Sequence, residues 1–184
     1  DLYKANLGES NLEGSNLTNS ALVKVNLKEA ILKDVILRNA NLESAVLNNT
    51  KMQNADLSNA LLKETRFGYA NLSNANFTGA NVTEINVGSA NLSNANFTEV
   101  SVEKECVIFC FNGTWGNFKG ANFKSADLHR ADLKNANLKN QDLKNENLNN
   151  ADLTKANLTN AKLNNAKLQN AKLQNAKLKK ADLS

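Results

Sequence analysis

Apolar residues recur along this chain at alternating gaps of two and three, so the pattern closes every five residues. The last stretch, residues 151–184, writes it almost without error: ADLTK ANLTN AKLNN AKLQN AKLQN AKLKK ADLS. Leu is the centre of each unit and Ala stands two positions before it, at minus-two. The other three positions are polar. On an α-helix, at about 100° per residue, such gaps scatter the apolar sites around the cylinder and leave no stripe to bury. On a strand a gap of two keeps both side chains on one face, and a gap of three flips the face. Both groups stay inside only if the chain turns a corner once per unit. Short sides joined by regular corners make a coil, and stacked coils make a β-solenoid with one continuous core.

From Leu2 to Val102 the centres fall every five residues without a slip. All 21 are apolar, mostly Leu, with Met52, Phe67, Phe77, Phe97, Val82, Val87 and Val102 among them. Minus-two positions stay small or β-branched, and Ile85 is the largest. From Phe118 to Leu183 there are 14 further centres, all Phe or Leu, and minus-two is Ala at 11 of them. Gln141 and Glu146 place large polar groups where Ala belongs. Burying an unpartnered carboxylate is costly. These two are therefore expected to distort their corners and reach solvent or each other.

The units read A-(D/N)-L-x-x over nearly the whole chain, which resembles the pentapeptide-repeat proteins. The resemblance implies an all-β fold, a right-handed quadrilateral parallel β-helix (β-solenoid) with four units per coil. The 35 units then give about nine coils and, at ~4.8 Å per coil, a rod of roughly 40 Å. The expected domain is single, residues 1–184, interrupted by a non-repeat loop at 105–115. The chain starts in register at Asp1, without Met, and ends in register at Ser184. Both ends are expected to be cut from something longer, with caps lying outside or the ends stacking on a partner, end-to-end self-association included.

With four units per coil, residues twenty apart stack. Phe77 is then expected against Phe97 as core packing. Asp34, Asn54, Asn74 and Asn94 form one polar column and Asn19, Asn39 and Asn59 another, with amides bonded up and down the ladder. Outward apolar residues Ile31, Ile36, Val46 and Leu61 fall on different faces and call for no function. Triplets such as Asn71-Leu72-Ser73 follow from the repeat and are poor indicators of glycosylation. Thr78 and Thr98 are only a fragment of the long Thr row that ice binding would need.

Residues 105–115, ECVIFCFNGTW, break the pattern, and the repeat resumes with its phase shifted by one. A turn signal at Asn112-Gly113 suits a loop or short hairpin folded back on a face. Phe109, Phe111 and Trp115 concentrate aromatics outside the core and make this segment the candidate partner-docking loop, set against simple packing on the coil surface. Cys106 and Cys110 would close a small disulfide if the loop bends sharply. His129 is the only His, so no zinc site is expected.

Net charge is +4, unevenly spread. Residues 1–104 carry 9 basic and 11 acidic groups, and residues 116–184 carry 13 and 6. Lys119 over Lys139 and Lys124 over Lys144 form a candidate basic patch, and Lys162, Lys167, Lys172 and Lys177 a girdle around one coil. Asp142, Lys162 and Asp182 alternate down a column. A solvated surface is the plainer reading of these charges. There is no run of 18 apolar residues to span a membrane. A cytoplasmic protein is expected, with the periplasm or thylakoid lumen as the alternative if Cys106–Cys110 is oxidised.

These features point to a non-enzymatic scaffold that presents rigid faces and a loop to a protein partner, with no cofactor. Stacked Asp132 and Asp152 come with the repeat and lack a cleft, a nucleophile–base pair or a metal set. The resemblance offers an alternative, since some relatives protect DNA gyrase by mimicking duplex DNA. Mimicry needs an acidic surface, and the basic balance here weighs against it. Direct nucleic-acid binding is not expected.

Overall fold

The structure is a computed structural model that describes residues 1–100, 128, 133, 136 and 138–184. Its sheet pairing consists of isolated parallel bridges, each joining residues twenty apart: Asn6 to Asn26, Asn11 to Ile31, Asn16 to Ile36, and so on to Lys162 and Asp182. Twenty residues are four units, so the described coils are four-sided. Extended strands do not form among the described residues. Each side contributes one bridging residue, the one just before the Leu, because the corner consumes most of the unit.

The corner is a turn closed by a backbone bond from minus-two to the preceding centre, as in Ala60 N–H to Leu57 O at 3.1 Å. Its second residue after the Leu is left-handed, with φ from 54° to 68° at every such described position. A left-handed third turn residue is the type II arrangement, which favours Gly or Asn. Asn accordingly fills this position at Asn39, Asn54, Asn74, Asn140, Asn160 and several others. Gly holds it at Gly14 and Gly79. The Asn-rich columns thus answer a backbone demand as well as a side-chain one.

A single unit shows where each N–H goes. Leu57 donates to Asn76 O of the next coil at 2.7 Å, Asn59 to Thr78 O at 2.9 Å, and Leu61 to Ala40 O of the previous coil at 3.0 Å. Ala60 closes the turn. That leaves Ser58, whose N–H donates to Asp56 Oδ1 at 3.1 Å. The same bond recurs at Thr78 on Asn76, Ser93 on Asn91, Thr154 on Asp152 and Thr159 on Asn157. Asp or Asn before the Leu therefore satisfies the one donor that stacking leaves over. Where that residue is something else, a neighbour substitutes. Arg66 cannot accept, and Gly68 N–H turns to Asn48 Oδ1 at 3.0 Å; Lys167 cannot, and Gln169 N–H turns to Asn149 Oδ1 at 2.9 Å.

The core is the expected one. From Leu22 through Leu163 every described centre is at most 2% exposed. Leu2, Leu7, Leu12 and Leu17 at one end, and Leu168, Leu173 and Leu178 at the other, are partly buried. Phe77 stacks on Phe97, with centroids 4.5 Å apart and planes within 5°. Phe67, ten residues from Phe77 and so on the opposite side of the coil, meets its ring edge-on at 6.4 Å. The two sides touch across the interior, which leaves this part of the rod filled.

The predicted column is also present. Asn54 donates to Asp34 at 2.8 Å, Asn74 to Asn54 at 3.0 Å and Asn94 to Asn74 at 3.0 Å. The bond from Asn54 leads the interactions that hold the Asp34 carboxyl below its ordinary range. In the second column Asn39 donates to Asn19 at 3.2 Å. Gly79 follows Asn59 in that column, and a Cβ there would collide with Asn59 Oδ1.

Gln141 and Glu146 correct the expectation of distorted corners and of side chains reaching solvent. They are 4% and 3% exposed. Their corners are regular, with turn bonds of 3.2 Å to Leu138 and Leu143, and their carbonyls still accept from Lys162 and Lys167 at 2.9 Å. The backbone ladder holds the corner in place whatever the side chain, so the larger groups fold into the rod.

Two outcomes test this account by chemical unfolding. Phe77→Ala should cost about 3–5 kcal/mol, while Phe77→Leu, the residue the repeat uses elsewhere, should cost under about 1.5 kcal/mol. Gly14→Ala, in open space, should cost about 1 kcal/mol for its left-handed backbone alone. Gly79→Ala should cost more, because the Asn59 amide must also move.

Candidate interaction surfaces

Three positions of each unit face outward: the bridging residue and the two corner residues after the Leu. With the ladder satisfied by backbone and Asx groups, these side chains are the part of the unit presented to a partner. The first two sides of the fourth coil depart from Asn altogether. Leu61, Glu64, Arg66 and Tyr69 occupy successive bridging and left-handed positions there, and all four are exposed. Tyr69 is 73% exposed at φ 60°. A bulky residue in the left-handed region is unusual, since its Cβ meets backbone strain that Asn or Gly relieves.

Beside it lies a shallow concavity lined by Ser44, Glu64, Arg66, Glu84 and Asn86. Ser44, Glu64 and Glu84 are corner residues of three successive coils, so the carboxylates stand about 4.8 Å apart along the rod. Ser44 Oγ donates to Glu64 Oε2 at 2.9 Å. Among the described residues no His, Cys, Asp and Glu cluster could hold a metal. The concavity is open and polar, with charged and hydroxyl groups presented on its floor and walls.

A half-buried polar site also lies on the rod's surface. Asp56 accepts from Ser58 N–H, from Asn76 Nδ2 at 3.3 Å and from Arg38 Nε at 2.5 Å. Burial pushes its carboxyl up, but the bonds from Ser58 and Arg38 together outweigh that and hold it below the ordinary range.

The Lys girdle forms as expected. Lys162, Lys167, Lys172 and Lys177 are bridging residues on the four sides of one coil, all exposed. Lys162 lies 3.6 Å from Asp142, and Lys172 lies 3.6 Å from Asp152. Lys139 and Lys144 are exposed at successive corners. Ile31, Ile36 and Val46 are half-buried and Leu61 exposed, one on each side of the coil. Phe109, Phe111, Trp115, Cys106, Cys110, Lys119, Lys124, His129 and Asp132 lie outside the described residues. Sequence reasoning missed the Glu64–Arg66–Tyr69 surface, although its signal was present: residues 61–69 lack Asn at every outward position that usually carries it.

Coils of four five-residue sides, with Leu and Ala inward and an Asx residue at most bridges, define a pentapeptide-type β-solenoid. The sequence matches the family described as Pentapeptide repeats in 8 copies, over residues 1–39, 32–63, 40–79, 70–104, 116–140, 131–170 and 147–184. The chain belongs to that family, a class of repeat-protein scaffolds. Among solved structures it is similar to HetL, a pentapeptide repeat protein involved in heterocyst differentiation regulation from the cyanobacterium Nostoc sp. strain PCC 7120. Identity is 28% and the TM-score 0.67, covering 96% of this chain and 75% of that one. A trypsin-treated form of QnrB1, a plasmid-mediated fluoroquinolone resistance protein, shares the fold at 15% identity and TM-score 0.64, covering 95% and 90%. No curated protein matches the sequence. Among the described residues no helix is long and apolar enough to cross a membrane.

The Asp56 site makes a pH-dependent prediction. A depressed carboxyl stabilises the native rod fully above the ordinary carboxylate range, and that contribution is lost as pH falls through the depressed value. Asp56→Asn keeps the acceptor for Ser58 and should cost about 0.5–1 kcal/mol at neutral pH, since Arg38 is largely solvated. The gap to wild type should close in acid. Asp56→Ala should cost about 1 kcal/mol more, with the turn donor left over. Urea unfolding at a series of pH values reads all three.

Proposed function

We propose that this protein is a non-catalytic scaffold whose rigid β-helix faces are read by a protein partner. The observation that carries the reading is the exposed Tyr69 beside Arg66 on a fixed ladder. Tyr and Arg are enriched among the residues that dominate protein interfaces, and a preorganised face loses little entropy on binding. Flat bare surface adjoins them, because Gly68 and Gly88 occupy the corner column next to Tyr69. The 105–115 segment, with Phe109, Phe111 and Trp115, is proposed as a second docking element. Lys119, Lys124, Lys139 and Lys144 are proposed as a basic patch beside it.

The proposal includes right-handed winding through about nine coils, with residues 1–184 as one solenoid interrupted at 105–115. It also includes the absence of catalysis and of a cofactor. A cytoplasmic site goes with free thiols at Cys106 and Cys110, and an oxidising compartment with a disulfide between them. The basic balance, +4 overall, weighs against a mimic of duplex DNA acting on an enzyme such as gyrase.

Affinity capture with three forms of the chain tests the reading: intact, with residues 105–115 replaced by plain repeat, and with Arg66→Asn and Tyr69→Asn. Asn suits both positions, so the double variant should be as stable as wild type or up to about 1 kcal/mol more so. A partner retained by the intact chain should be lost from the double variant or the loop replacement. A partner that all three forms retain equally would overturn the assignment of these surfaces, and turnover of a substrate by the purified chain would overturn the scaffold.

A further inference from the structure

The twenty-residue register sorts the charges of residues 138–184 by side. On two sides each bridging Lys has an Asp in its own column, Asp142 with Lys162 and Asp152 with Lys172. A third side pairs Asn147 with Lys167 and is otherwise Asn and Gln. The fourth is different. Lys177 bridges to Asn157 at its middle, Lys179 stands at its first-corner column, Lys155 at the corner before it and Lys180 at the corner after it. All are exposed, and no Asp or Glu shares that side among the described residues.

We infer that this side is a docking face for an anionic lipid bilayer. Three features select that occupant. The charge is carried by Lys alone; Arg, with the planar fork that suits specific carboxylate or nucleic-acid recognition, does not occur among the described residues of this half. Among the described residues no aromatic or large apolar side chain stands on the side, so they offer neither the anchor of a tight protein interface nor a stacking platform for bases. The Asn157–Lys177 bridge fixes two successive coils of this side in register, which suits contact with a broad planar surface better than with a compact or curved polyanion. Each Lys near an anionic leaflet strengthens binding roughly fivefold, so Lys155, Lys177, Lys179 and Lys180 together contribute several hundred-fold at low salt. Without an apolar anchor the attachment is peripheral and reversed by salt within the Debye screening range. This face is separate from the Tyr69 surface, and neither depends on the other.

Cosedimentation of the full chain with vesicles tests it, using phosphatidylcholine alone and mixed with phosphatidylserine. The first variant combines Lys155→Asn, Lys177→Gln, Lys179→Gln and Lys180→Asn. The control removes equal charge from other sides, by Lys144→Gln, Lys162→Gln, Lys167→Gln and Lys172→Gln. The expected result is binding to the anionic vesicles only, lost at about 1 M salt, weakened at least a hundredfold in the first variant and by less than about tenfold in the control. Absence of binding by the wild type, binding to neutral vesicles, or equal loss in both variants would overturn the inference. So would release from the vesicles by a modest excess of duplex DNA, which would assign the face to nucleic acid.

Discussion

The structure depends on the way one coil satisfies the backbone of the next. Four of the five N–H groups in a unit are met by backbone carbonyls, and the fifth by the Asx side chain before the Leu. That scheme closes only when residues twenty apart are stacked. It therefore fixes coil size, register and the direction of every side chain at once. A slip of one residue would move Leu outward and leave donors unmet, and both penalties recur in every unit.

The same scheme explains what the interior and the surface each tolerate. Inside, the ladder is stiff enough that Gln141 and Glu146 are held within it without breaking a turn bond. Phe67, Phe77 and Phe97 fill one stretch of the rod because their columns and opposed sides leave them no other place. Outside, a side chain can change without disturbing the ladder, provided its corner accepts a left-handed backbone and the spare donor finds an acceptor. Asn48 and Asn149 show that a neighbouring coil can supply that acceptor. Recognition surfaces can thus be written onto the rod one position at a time. Tyr69 with Arg66 and the Lys177 side are two such departures, on separate stretches of chain.

Much of this was legible in the sequence. The two-and-three spacing gave the core, and the resemblance added four units per coil, from which the Phe77–Phe97 stack and the Asp34–Asn94 column followed. The role of Asn was only half visible. Its ladder of amides could be anticipated from stacking, but its tolerance of positive φ, and the Asx bond to the residue two on, belong to a turn geometry that spacing does not reveal. Glu146 was misjudged because a lone unit suggests a local escape to solvent, whereas the corner is held from above and below.

By itself, then, the sequence determined which residues point inward, since a strict period leaves only one way to bury Leu and Ala together. It also determined that charge accumulates toward residue 184. Tertiary structure decided which charges meet. Lys162 and Lys172 acquire carboxylate neighbours while Lys155, Lys177, Lys179 and Lys180 share a side without one. That difference arises from a separation of twenty residues along the chain becoming one coil in space.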